Sequence, residues 1–231
     1  KIVVFLYITI TMYADCKNYT KHERWEQISS QRIFSVSGLV HYKNGFLIVH
    51  DNKRDNQPRI SFFKNNKISP LIWPDSSLPY DLEAISIIPS FKNQYILMES
   101  TGKCYKIKIE QRNNQITLMN IFQLETNEDM NLEGCIIVKG NFGYKIMYGD
   151  RGSDLRKSTL FIGDFNPIDN NITNLVKHMI DLPAPGKHKR NIADLGIDKK
   201  NNLWTSATSD PGNDGPFETC LYTVSYTHLT L

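Results

Sequence analysis

The chain has 231 residues, 40% of them hydrophobic and 22% charged, with a formal net charge of +3. Such values belong to a globular protein with a full core and exclude a disordered chain. The charge is weak and forms no concentrated basic stripe, so nucleic acid is not an expected partner.

Lys1 precedes the apolar run Ile2 to Ile10, and the small residue Ala14 follows shortly after. A basic start, a short apolar stretch and a small residue near its end have the form of an export signal. The run is too short to span a bilayer. Residues 1–16 are therefore expected to be a truncated export signal or anchor segment, and the protein to be extracytoplasmic. Cleavage after Ala14, lipidation of Cys16 and a buried first strand are the open alternatives, with Tyr13-Ala14-Asp15 a poor context for lipidation. Membrane contact is expected only through such an anchor.

Residues 17–222 show no long helical period. Short runs of Ile, Val, Leu, Phe and Tyr alternate instead with Asn, Gly, Asp and Pro clusters, which is the all-β pattern. The first unit reads as strands at Leu39-Val40, Phe46 to Val49, Arg59 to Phe63 and around Ile68. Its Asn44-Gly45 pair predicts a tight hairpin in which both turn residues take positive φ. The second unit reads Ile85 to Ile88, Tyr95 to Met98, Cys104 to Ile109 and Ile116 to Phe122. The third reads Cys135 to Val138, Tyr144 to Tyr148, Thr159 to Ile162 and Leu175 to Ile180. In the fourth, a solvated basic loop Lys187-His188-Lys189-Arg190 precedes Leu195 to Ile197, Leu203 to Ala207 and Thr219 to Val224. Val224 to Leu231 resembles translated sequencing-adapter sequence, so residues 223–231 are expected to carry no structural meaning.

The units open at Ser37-Gly38-Leu39, Glu83-Ala84-Ile85, Glu133-Gly134-Cys135 and Asp194-Leu195-Gly196. Recurrence of a four-stranded unit at roughly 50 residues predicts a β-propeller, with a β-sandwich or open solenoid as alternatives. Four blades are visible, residues 17–36 are available to close the ring, and five or six blades are expected in a complete protein. A monomer is expected.

In a blade, the start of the first strand and the end of the second share one face. That rule gathers Ser37, Glu83, Glu133 and Asp194 near Asp51, Glu99, Asp150 and Asp210 at one channel mouth. Several converging carboxylates ionise together only beside a cation, and hard oxygen donors suit calcium. Glu83, Glu133, Asp194, Asp51 and Glu99 are the candidate metal ligands, the alternative being that Asp81 and Glu83 cap turns and strand-end amides. Arg151, with Asp150, Asp210 and Ser37, is the candidate substrate contact. It is placed to clamp a phosphate or to pair with Asp150 or Asp154, and Lys53, Arg54 and Arg190 are candidate helpers. Asp210-Pro211-Gly212-Asn213-Asp214-Gly215 reads as a calcium loop or a plain structured loop.

Other chemistry is weaker. There is no Gly-x-Ser-x-Gly elbow, and Ser37, His50 and Asp51 make a poor triad. Trp25, Trp73 and Trp204 are candidates for sugar stacking or for the core. Cys104 and Cys135 are the most plausible disulfide, against buried free thiols. Asn18 and Asn171 open glycosylation sequons.

The pieces Val36-Ser37-Gly38-Leu39, Asp81-Leu82-Glu83-Ala84-Ile85, Asn131-Leu132-Glu133-Gly134 and Ala193-Asp194-Leu195 resemble the secreted propeller families named for the esterase-like activity of phytase and for SdiA regulation. The resemblance covers about residues 33–222 and implies an extracytoplasmic propeller with calcium near the channel. Two functions stay open: hydrolysis of phosphate esters at the acidic mouth, and a non-catalytic propeller, stiffened by calcium, that binds a small molecule or a protein.

Overall fold

The computed structural model describes residues 10–15, 28–183, 185–212 and 218–226, with 10–15 and 224–226 as backbone alone. They form a four-bladed β-propeller of four-stranded antiparallel blades. Blade 1 is β2 (Gly38–Tyr42), β3 (Gly45–Val49), β4 (Ile60–Lys64) and β5 (Lys67–Pro70). Blade 2 is β6 (Leu82–Ile87), β7 (Gln94–Glu99), β8 (Lys103–Ile109) and β9 (Ile116–Gln123). Blade 3 is β10 (Leu132–Gly140), β11 (Gly143–Asp150), β12 (Ser158–Phe165) and β13 (Ile172–Ile180). Blade 4 is β14 (Lys189–Ile197), β15 (Leu203–Ser209) and β16 (Glu218–Tyr226), completed on its outside by β1 (Ile10–Asp15).

β1 pairs antiparallel with β16 from Ile10 opposite Tyr226 to Asp15 opposite Leu221. Residues expected in an export segment thus form the outer strand of blade 4, and residues 223–226 of the doubtful tail form the other side of that ladder. Cys16, Asn18, His22, Trp25, the loop residues 213–217 and His228 lie outside the described residues. Among the described residues, no helix is long and apolar enough to cross a membrane.

The hairpins follow local chemistry. Asn65 and Asn66 both take positive φ (49° and 56°) in a two-residue turn, as a type I′ turn demands. The first hairpin differs from expectation. Its turn residues are Lys43 and Asn44, with Lys43 at φ 53°, while Gly45 opens β3 opposite Tyr42. Gly45 is required by proximity: a Cβ there would collide with the Phe63 carbonyl oxygen.

The core is three apolar layers, one between each pair of successive blades. Leu47, Val49 and Ile60 pack on Leu97 and Tyr105; Met98 and Cys104 on Cys135 and Tyr148; Met147 and Leu160 on Ile192 and Leu203. The second strands of blades 2 and 3 therefore face an apolar layer on both sides, and Tyr95 to Glu99 of β7 are all buried. Cys104 and Cys135 share the middle layer as buried free thiols. Trp73 is a core residue, its ring edge-on to Tyr105 at 5.4 Å, and the Trp204 indole donates to Asp198 Oδ2.

The inner strands meet in the order β2, β6, β10, β14, and among the described residues no contact of comparable extent joins β14 to β2. Backbone hydrogen bonds knit successive blades at one end. Asp81 N–H donates to Asn52 O (3.4 Å), Leu132 N–H to Ser100 O (2.9 Å) and Asn191 N–H to Arg151 O (2.8 Å). Each joins the start of one inner strand to the segment that leaves the second strand of the preceding blade, one to three residues past its end. This belt rims the channel mouth.

Candidate functional site

A cavity of about 910 Å³ opens at that rim, walled by residues from all four blades. Among the described residues its lining is nine charged side chains, one amide and one glycine. The inner strands supply the carboxylates through irregular pairing. The β6–β7 register shifts between Leu82 and Ala84, leaving Glu83 on the bulge, and the β10–β11 register shifts between Leu132 and Gly134, leaving Glu133 on the equivalent bulge. A bulge re-aims one side chain without ending the strand, and here it turns an acid to the mouth. The β14–β15 register shifts between Arg190 and Asp194, and the side chain delivered there is Arg190. Arg190 was expected in a solvated loop; with Lys189 it instead begins β14, and Lys189 Nζ pairs with Asp181 at 2.8 Å.

The acids at the far ends of the hairpins do different work. Glu99 Oε1 accepts the Tyr80 N–H (2.7 Å) and the Tyr105 hydroxyl (2.5 Å). Asp150 Oδ1 accepts the Asn131 N–H (2.9 Å), and Arg156 grips both oxygens of this fully buried carboxylate. In both blades the carboxylate ending the second strand anchors the backbone just before the first strand. Glu99 and Asp150, expected at the site as metal ligand and substrate contact, lie beneath it as structural ties. Arg156, the partner of Asp150, carries no signal in the sequence.

Most of the mouth carboxylates are held by cations. Asp51 pairs with both guanidinium nitrogens of Arg32, at 2.9 and 2.6 Å. Asp81 pairs with Lys53 at 3.0 Å. Glu133 Oε1 sits 3.1 Å from Arg151 and 3.7 Å from Arg190, and Arg190 also pairs with Asp210. Arg151 therefore binds Glu133 rather than Asp150 or Asp154. Asp194 does not line the cavity, and its carboxylate accepts the Leu195 N–H at 2.7 Å. Ser37 also lies off the cavity and uses its N–H on Val49 O. His50 is buried between Ser35 O (2.7 Å) and Ser61 Oγ (2.8 Å), so no triad with Ser37 exists. Burial lowers the His50 pKa.

Glu83 differs from the rest. Among the described residues it has no hydrogen-bond or ion-pair partner. Burial, then the nearby Glu133, Asp81 and Asp51, raise its pKa from the ordinary 4.5 to about 9. Glu133 is raised by burial to about 7, with Arg151 and Arg190 opposing the rise. A carboxyl whose folded pKa lies above its unfolded one contributes stability below the unfolded value and loses that contribution as pH climbs through the folded value. Glu83→Gln is therefore expected to match the wild type at pH 4 and to exceed it at pH 9 by roughly 1–3 kcal/mol, the cost of an unpaired buried charge. Urea denaturation at both pH values checks this, and equal stability at pH 9 would refute it.

Calcium takes six to eight oxygen ligands. Of its five expected ligands, Asp51 and Glu133 are held by arginines, Glu99 and Asp194 are turned to N–H and O–H donors, and only Glu83 is free to bind. Among the described residues no three metal-ligating side chains converge. The arrangement does not fit the ion.

No family model and no curated protein matches the chain. The resemblance to phytase-like and SdiA-regulated propellers therefore has no support from sequence relatives. Solved structures do resemble it. A thermostable family-43 glycoside hydrolase is 10% identical with a TM-score of 0.51, over 84% of this chain and 72% of that one. The WD40 propeller domain of Doa1 is 14% identical with a TM-score of 0.42, over 81% of this chain and 48% of that one. The chain thus spans about half the length of the Doa1 structure. At these identities the likeness shows the β-propeller fold and nothing finer.

Proposed function

We propose that this propeller is a binding module that receives one small, strongly polar molecule at its channel mouth. The observation that carries this reading is the wall of the 910 Å³ cavity, which presents charged and amide groups from all four blades and, among the described residues, no apolar side chain. Ligand pockets for apolar molecules are lined mainly by hydrophobic and aromatic groups, so such molecules do not suit it. Hydrolysis of phosphate esters is less well supported. Among the described residues the lining holds no Ser, Cys or His nucleophile, and a phosphate reaching Arg151 or Arg190 must first displace Glu133 or Asp210. An extracytoplasmic setting is part of the proposal and rests on the apolar amino-terminal run alone.

The test is amide chemical-shift mapping with glycerol, inorganic phosphate and ethanolamine, together with a chromogenic phosphomonoester assay with and without calcium. Shifts confined to Asp81 to Glu83, Asn131 to Gly134, Arg151 and Arg190, without turnover, support binding at the mouth. Shifts centred instead on the groove between Leu71 and Gln115, or calcium-dependent turnover, refute it.

A further inference from the structure

The mouth has one more acid than it has bases. Its wall carries five carboxylates (Asp51, Asp81, Glu83, Glu133, Asp210) against four cations (Arg32, Lys53, Arg151, Arg190). Every one of those cations already has a carboxylate partner. The carboxylate left over is Glu83. Asn131, beside Glu133 on the same wall, has a buried side-chain oxygen with no donor. The cavity therefore holds one carboxyl without a counter-charge, and below its pKa of about 9 that carboxyl keeps a proton which an incoming cation can displace into solvent. A ligand that completes it brings a positive charge to Glu83.

We propose that the ligand carries a primary ammonium group, which docks on Glu83 among the ion pairs of the mouth. This rests on the reading of the mouth as a binding site and names the chemistry that the site selects. The absence of any aromatic side chain from the lining, among the described residues, gives the choice of ammonium. A quaternary ammonium is held by aromatic faces, and here there are none, whereas a primary ammonium supplies three donors to oxygen acceptors. The rest of the molecule is hydroxylated or otherwise polar, since the wall around Glu83 offers only ion pairs and an amide. The high pKa of Glu83 agrees with this geometry, because a carboxyl held among other acids gains most from an incoming cation.

The experiment is calorimetric titration at pH 8 of the full chain with ethanolamine, tetramethylammonium, glycerol and inorganic phosphate, repeated on Glu83→Gln and on Glu125→Gln. Glu125 lies in a different cleft and pairs with Lys177, so it serves as the control. Ethanolamine is expected to bind the wild type at least 10-fold more tightly than tetramethylammonium. Its affinity is expected to fall at least 10-fold in Glu83→Gln and to hold in Glu125→Gln. Glycerol or phosphate binding at the mouth without ethanolamine binding would overturn the ammonium assignment and leave the binding module standing. So would ethanolamine binding that Glu83→Gln does not weaken. If none of the four probes binds, the ammonium assignment and the reading of the mouth fall together.

Discussion

Gly134→Ala is expected to destabilise the protein by about 2–3 kcal/mol, the range for forcing extra volume into a packed interface. Removing a glycine from a strand ordinarily helps: alanine restricts the unfolded chain and gains about 0.4–1 kcal/mol where the backbone allows it. Gly134 has no positive φ, so conformation alone predicts a gain. Packing decides the other way. A Cβ on Gly134 would lie 2.7 Å from Leu195 N, 2.8 Å from Leu195 Cγ and 2.9 Å from Asp194 C. Two of these are backbone atoms of β14, which cannot swing aside as a side-chain tip can, so the interface between blades 3 and 4 must open. Blade 2 has Ala84 at the matching position, buried in the next cleft, which shows that the constraint belongs to one interface and not to the repeat. Gly38→Ala, whose nearest backbone atoms lie at 3.0 and 3.1 Å, is expected to cost less than Gly134→Ala. Urea midpoints for the two variants check the order, and a stabilised Gly134→Ala would show that the two blades are not tightly engaged there.

The same glycine shows what the sequence makes legible and what it hides. Four recurring openings and returns, with Asn-rich turns between apolar runs, suffice to read blades, because each hairpin is specified within about ten residues by turn chemistry. The mouth was legible too, since strand direction alone puts both hairpin ends on one face. The division of labour among the acids was not. Glu83 and Glu133 reach the cavity because they sit on bulges, while Glu99 and Asp150 stay in register and tie down backbone. A bulge is a property of two strands paired, and one strand's residues do not announce it. The cations were hidden for a related reason. Arg32 reaches Asp51 from a single 3-10 turn at Arg32–Phe34, and Lys53 reaches Asp81 across the junction between blades. With those partners unseen, five acids looked like a calcium site. The pairing of β1 with β16 was hidden because the two strands lie at opposite ends of the chain, and a pairing that remote leaves no local pattern.

Asp150→Ala is expected to cost about 3 kcal/mol or more, because breaking a buried pair leaves an uncompensated charge and unsatisfied donors. Asp150 is 0% exposed and serves Arg156 through both oxygens, the Asn131 N–H at 2.9 Å and the Gly152 N–H at 3.3 Å. Arg156 also donates to the Asp129 carbonyl at 2.9 Å, so the carboxylate fixes the whole loop that leads into β10. Asp150→Asn keeps one acceptor for the Asn131 N–H and is expected to lose less. The comparison that isolates burial is Asp51→Ala. Its arginine partner is 73% exposed, and exposed pairs contribute about 0.2–1 kcal/mol, so the Asp51 loss should be well under that of Asp150. Urea denaturation of the three variants reads the order directly. The consequence reaches the mouth. Asn131 and Glu133 follow the backbone that Asp150 holds, so Asp150→Ala should weaken ligand binding without removing any group from the cavity wall. Wild-type stability in Asp150→Ala would mean that β10 is positioned without this carboxylate, and that the mouth is shaped by the inner strands alone.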